Sequence, residues 1–150
     1  MNTLSKFVFL SSNEKEFWLQ FLQQQIKAKD VDPEFIPYLK QINSLEGICT
    51  TQSCTGHKKG KYQDDGHLRF RLSGRMMKAF RQSIPEFYEC RNIGYVDLRY
   101  HPGRKYFPTA DEAGVYEEIM INFLGLNRGP EIFHESAKHI VKTLKNLSRI

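Results

Sequence analysis

The run His67-Leu68-Arg69-Phe70-Arg71-Leu72 constrains the fold more than any other stretch of the chain. Apolar and charged residues alternate strictly, which is the period of a β-strand and not of a helix. Leu68, Phe70 and Leu72 then face one way, and His67, Arg69 and Arg71 the other. Residues 47–53 offer an adjacent strand, with Ile48 and the β-branched pair Thr50 and Thr51. The connection between them, Cys54 to Gly66, is long for a hairpin and rich in glycine and lysine, a type of loop that often carries function.

Other strands and the helices follow from local signals. Residues 6–10, Lys-Phe-Val-Phe-Leu, predict a short buried strand. Ser11 and Glu14 have capping-box spacing, and Phe17, Trp18, Phe21, Leu22 and Ile26 repeat at helical intervals, so a first helix is expected over about 12–29 with those five inward. A second helix is expected from Asp32-Pro33, with Phe35, Ile36, Leu39 and Ile42 apolar. Pro37 conflicts with a helix interior, unless a tight turn comes first and the helix begins near Ile36. Ser73 predicts the cap of a third helix, with Met76, Met77, Phe80 and Ile84 inward and its end near Pro85. Tyr95–Tyr100 and Val115–Leu124 read as two further strands. A last helix follows Gly129-Pro130, burying Phe133, Ala137, Ile140, Val141, Leu144 and Leu147. Lys138, Lys142, Lys145 and Arg149 share its other face, a wet face. The order is (β)ααββαββα. It predicts a single α+β domain over residues 1–150, with a mixed or antiparallel sheet of four to five strands and about four helices.

Composition narrows the setting. At 150 residues, 40% apolar and 26% charged, the chain is long enough to bury a core without a disulfide or structural metal. The opening apolar run turns polar at Ser11, too soon for a signal segment or a membrane span. Three cysteines, an odd number, agree with a reducing compartment. A cytoplasmic protein is expected. The net charge of +5 favours a polyanionic partner.

The informative stretch is residues 42–57, Ile-Asn-Ser-Leu-Glu-Gly-Ile-Cys-Thr-Thr-Gln-Ser-Cys-Thr-Gly-His. Ser53, Thr55 and Gly56 end a strand with small polar residues. Such a corner can turn N–H groups and hydroxyls toward a ligand, and glycine lets the ligand approach the backbone. Lys58, Lys59 and Lys61 follow and would favour an anion.

Residues 30–57 also resemble the opening of the wybutosine-synthesising tRNA methyltransferase family. The shared pattern is an acidic helix start (Asp32), a helix ending in Ile42-Asn43, a spacer, and Thr51-Gln52-Ser53-Cys54-Thr55-Gly56-His57. His57 stands where the family has arginine, and Gln52 where it usually has serine, as in a shortened or divergent member. The resemblance implies S-adenosylmethionine as cofactor, with Thr51, Ser53, Cys54, Thr55, Gly56 and His57 contacting it or the modified base. It implies tRNA as partner and methyl transfer to a ring nitrogen as the reaction, with Asp32 and Asn43 holding the loop in place. Such chemistry needs orientation and a proton acceptor, for which His57 and His67 are the candidates.

Two other readings use the same region. A non-catalytic nucleic-acid-binding domain would use Lys58, Lys59, Lys61, Arg69, Arg71 and Arg75, followed by Lys78 and Arg81, with Tyr62, Tyr100, Tyr106 and Phe107 for stacking. A zinc site would draw on Cys49, Cys54 and His57 with His67 or Cys90. On a regular strand Cys49 and Cys54 face opposite sides, so no metal ligands are assigned from spacing.

Overall fold

A computed structural model describes residues 6–59 and 62–150, with the backbone alone for residues 58, 59, 62 and 63. The elements are β1 (Lys6–Val8), α1 (Ser12–Lys27), α2 (Ile36–Asn43), β2 (Ile48–Cys54), β3 (His57–Lys59), β4 (Tyr62–Asp64), β5 (Gly66–Leu72), α3 (Gly74–Phe87), β6 (Ile93–Pro102), β7 (Gly114–Phe123), a 3-10 turn (Leu126–Arg128) and α4 (Pro130–Ser148). This is the expected α+β class and order. The one addition is the short β3–β4 ladder inside the connection that had read as a loop.

β2, β5, β7 and β6 run antiparallel to their neighbours in that order, and β1 joins β7 in parallel. β6 pairs along β7 from Val115 to Phe123. β1 and β5 therefore share the other edge of β7 end to end, β1 against Gly114–Tyr116 and β5 against Ile119–Phe123. The sheet forks where one gives way to the other.

One face is apolar. Leu68, Phe70 and Leu72 join Ile119, Ile121 and Phe123 beneath α2, α3 and α4, meeting Leu39, Ile42, Phe80, Phe133, Ile140 and Leu144. Full burial of such a side chain contributes roughly 1.5–3 kcal/mol. α2 begins at Ile36 after a turn closed by the Phe35 N–H on the Asp32 carbonyl, and Pro37 sits in its first turn, where no helix hydrogen bond is lost. Asp32 is thus not the cap of α2. Ser11 and Ser73 cap α1 and α3 through the N–H groups of Glu14 and Met76.

α1 departs from its expected packing. Of its five apolar residues only Trp18 is buried, while Phe21 is 37% exposed and Phe17, Leu22 and Ile26 are half-buried. The helix lies along β2 at the edge of the sheet, and only Leu22 and Ile26, both half-buried, pack against the main core. There Trp18 forms a separate cluster with Leu10 and Cys49, joined by Phe17, Tyr106 and Phe107. Glu14 likewise turns inward: it accepts from Trp18 Nε1 at 3.0 Å and pairs with Arg71. Among the described residues no helix is long and apolar enough to cross a membrane.

Candidate functional site

The second face of the sheet is polar, and its register builds a site. Cys54, His67, Asn122 and Tyr95 form one row across β2, β5, β7 and β6. Gln52, Arg69, Met120 and Asp97 form the next. Glu118 and Arg99 come third, then Tyr116 and His101. A bulge between Thr50 and Gln52 adds Thr51 to this face. Its hydroxyl donates to Glu118 Oε2 at 3.0 Å, while Gln52 lies opposite Arg69. Bulges re-aim side chains in this way at functional sites.

Glu118, 3% exposed, is the centre. Its Oε2 accepts from Thr51 and from the Tyr106 hydroxyl at 2.5 Å. Its Oε1 lies 3.4 Å from His101 Nε2 and 3.9 Å from Arg69 Nε, yet none of these three atoms has a hydrogen-bond partner among the described residues. His67 Nε2 and Arg99 Nε are buried without a hydrogen bond among the described residues as well, Arg99 Nε lying 3.8 Å from Asp97 Oδ2. Native proteins leave few such atoms unsatisfied. Together these residues gather ionisable groups from three neighbouring strands onto one face. A cavity of about 300 Å³ opens here between Phe21, Gln52, Arg69, His101, Tyr106 and Glu118.

The environment sets the protonation states. Burial first, then the charges of Arg69 and Arg99, lowers the pKa of His67 and keeps its imidazole neutral. Burial first, then Glu118, pushes the Tyr106 phenol far upward and keeps it a donor.

Residues 51–57 are placed differently from one another. Thr51 joins the polar face. Ser53 stands opposite Leu68 on the apolar side, at the sheet's edge. Thr55 is fully buried, with both its N–H and its hydroxyl donating to Asp32 Oδ2 at 3.0 and 2.8 Å. Asn43 exchanges two hydrogen bonds with Thr50, so Asp32 and Asn43 do hold this strand and its turn. The corner at Gly56 does not open to a ligand. Gly56 has φ +95°, and an added Cβ would lie 2.9 Å from Asn127 Oδ1, Asp64 O and Gly66 N. Glycine here permits close approach by the protein's own chain, which fills the expected space. His57 leaves the corner to meet Asp32 Oδ2 at 3.2 Å.

The basic residues also separate. Arg69 lines the cavity. Arg71 cannot reach a nucleic acid: it is fully buried, bound to Glu14 and donating to the carbonyls of Glu117 and Val8 at the fork of the sheet. Arg75 is exposed but beyond the Ile48–Leu72 end of the ladder, donating to the Ile150 carbonyl. Lys61 lies outside the described residues, as do the side chains of Lys58, Lys59 and Tyr62. Tyr100 pairs with Phe7, and Phe107 stacks on Phe17. The lysines of α4 line a groove of about 620 Å³ against α2, at Tyr38 and Gln41, on the helical side of the sheet.

The zinc set is divided too. The bulge brings Cys49 and Cys54 onto the same face, opposite Arg71 and His67, but those positions are four residue steps apart along β5, roughly 13 Å. Cys90 is buried in the main core.

Local sequence signals did not single out Glu118, His101 or Arg99, and they offered Tyr106 only as a stacking residue. The usable signal was the adjacent pair Glu117-Glu118 inside an apolar strand, where each carboxylate must have a partner. Glu117 finds Arg81 at 3.0 Å, and Glu118 faces the cavity.

No family model and no curated protein matches the chain. Its fold is similar to that of a solved structure, the PH1069 protein from Pyrococcus horikoshii, with a TM-score of 0.52, 18% identity and 91% of each chain covered. At that identity the likeness concerns the fold alone.

Proposed function

We propose that the polar sheet face receives a nucleotide of a tRNA, and that the domain transfers a methyl group from S-adenosylmethionine to a ring nitrogen of that base. The observation that carries the reading is the cluster of ionisable groups on β5, β6 and β7 whose buried atoms make no hydrogen bond among the described residues. Arg69 Nε and Arg99 Nε are donors, Glu118 Oε1 is an acceptor, and His67 and His101 can be either. A planar base with polar edges satisfies such a set, and Phe21 at the rim offers a stacking surface. The methyl-transfer half rests on the resemblance of residues 30–57. S-adenosylmethionine would supply the methyl group there, and His67 or Glu118 would accept the proton of the ring nitrogen.

Incubation with tRNA and methyl-labelled S-adenosylmethionine tests it, together with calorimetric titration of the cofactor. The expected result is label in the tRNA, reduced at least about tenfold in Glu118→Gln. Absence of both cofactor binding and label would remove the enzyme. The filled corner at Gly56 favours a second reading, a non-catalytic RNA-binding domain using the same face. Its signature is tRNA binding that weakens steeply with salt without cofactor affinity.

A further inference from the structure

We propose that Asp32, Cys54 and His57 form a site for a divalent metal ion of the zinc class, with its fourth position open. The inference goes beyond the proposed function, because the nucleotide site centres on Glu118 and not on these residues.

One ligand atom from each of the three lies within 4.8 Å of the others. Tetrahedral coordination at about 2.0–2.3 Å sets ligand atoms roughly 3.5 Å apart, so small side-chain adjustments complete the geometry. The donor set of one thiol, one imidazole and one carboxylate is that of a borderline-soft cation and not of calcium or magnesium. The backbone explains how it assembles. Cys54 ends β2, Gly56 at φ +95° reverses the chain, and His57 begins β3, so two residues three apart stand side by side. Asp32 comes from the turn before α2 and is oriented by the Thr55 N–H and hydroxyl. Such outer partners fix the direction of a ligating carboxylate. A thiolate and a carboxylate together neutralise a divalent ion, the thiol proton leaving to solvent. All three residues are only half-buried, which leaves the ion a way in. Three protein ligands with one free position is the arrangement of zinc sites that take water or substrate. His67 faces Cys54 across the ladder, so the polar sheet face is next to it.

The test uses the full chain, freed of metal by a chelator and titrated with cobalt(II) while absorbance is read. One equivalent should produce a thiolate-to-cobalt charge-transfer band and visible bands of tetrahedral intensity, and zinc should displace them. Cys54→Ser should abolish the charge-transfer band, and His57→Ala should weaken binding at least about tenfold. Cys49→Ala should leave the spectrum unchanged. Asp32→Asn keeps an acceptor for Thr55, so it should fold, as circular dichroism will report, and still bind more weakly. Absence of the charge-transfer band would overturn the proposal, as would its persistence in Cys54→Ser or unaltered affinity in His57→Ala. Loss of cobalt binding and loss of methyl transfer are separate results, so either reading can fail alone.

Discussion

Arg71 and Glu14 meet through two hydrogen bonds of 2.7 Å, Nε on Oε2 and Nη2 on Oε1, with neither side chain more than 2% exposed. The pair fastens α1 to the fork of the sheet. Arg71→Ala should destabilise the protein by roughly 3–5 kcal/mol, because Glu14 would be left charged and buried. The double change Arg71→Met with Glu14→Leu should cost less than the two single changes summed. Denaturant unfolding of the four proteins measures the coupling.

Gly56→Ala should act on stability rather than on ligand affinity alone. The substitution meets both an unfavourable φ of +95° and three contacts at 2.9 Å, two of them with backbone atoms. We expect a loss of roughly 2 kcal/mol or more in urea unfolding. A fully stable Gly56→Ala protein would show that the corner is looser than described.

Stability should fall as pH rises above about 9. Cys49 and Tyr106, ordinarily near 9.0 and 10.0, are both pushed upward, chiefly by burial. The native state keeps their protons where the unfolded chain releases them, so their contribution is complete below the ordinary values and is lost above them. Tyr106→Phe should cost roughly 1.5–3 kcal/mol at neutral pH by removing the hydrogen bond to Glu118. It should also flatten the decline above pH 10. Thermal midpoints from pH 8 to 11 for both proteins check the sign.

Thiol labelling of the native protein at pH 8 should single out Cys54. Cys49 is fully buried with its thiol pKa raised, and Cys90 is 8% exposed, whereas Cys54 is half-buried at the end of β2. Mass mapping after a brief reaction should find Cys54 modified first, and added zinc should slow it. Equal labelling of all three would contradict the burial described.

Alternation in residues 67–72 was enough to identify β5 and the direction of its apolar side, since period two leaves no other choice for Leu68, Phe70 and Leu72. It could not show what covers the charged side. At Arg71 that side is sealed by Glu14, and at Arg69 it is open. This difference comes from where β5 parts from β7, a tertiary event with no local signal. Nothing local distinguishes Tyr95, Asp97 and Arg99 within the expected strand Tyr95–Tyr100, yet in register they complete rows with His67, Arg69 and Glu118. The bulge at Thr51 was also hidden, because Thr50-Thr51-Gln52 contains no glycine to mark it. The role of Gly56 was misread for a related reason. Sequence shows that a close approach is permitted there, not which group makes it.

If the polar face, and not the lysine stripe of α4, meets the RNA as proposed, the arginines of β5 and β6 should carry the affinity. Fluorescence anisotropy of labelled tRNA should be measured with Arg69→Ala/Arg99→Ala and, separately, with Lys142→Ala/Lys145→Ala. Affinity should be at least about tenfold weaker for the arginine pair, two charge-assisted contacts being lost, with the lysine pair near the parent value. Unchanged binding by the arginine variant, with the loss falling on the lysine variant instead, would contradict the proposal.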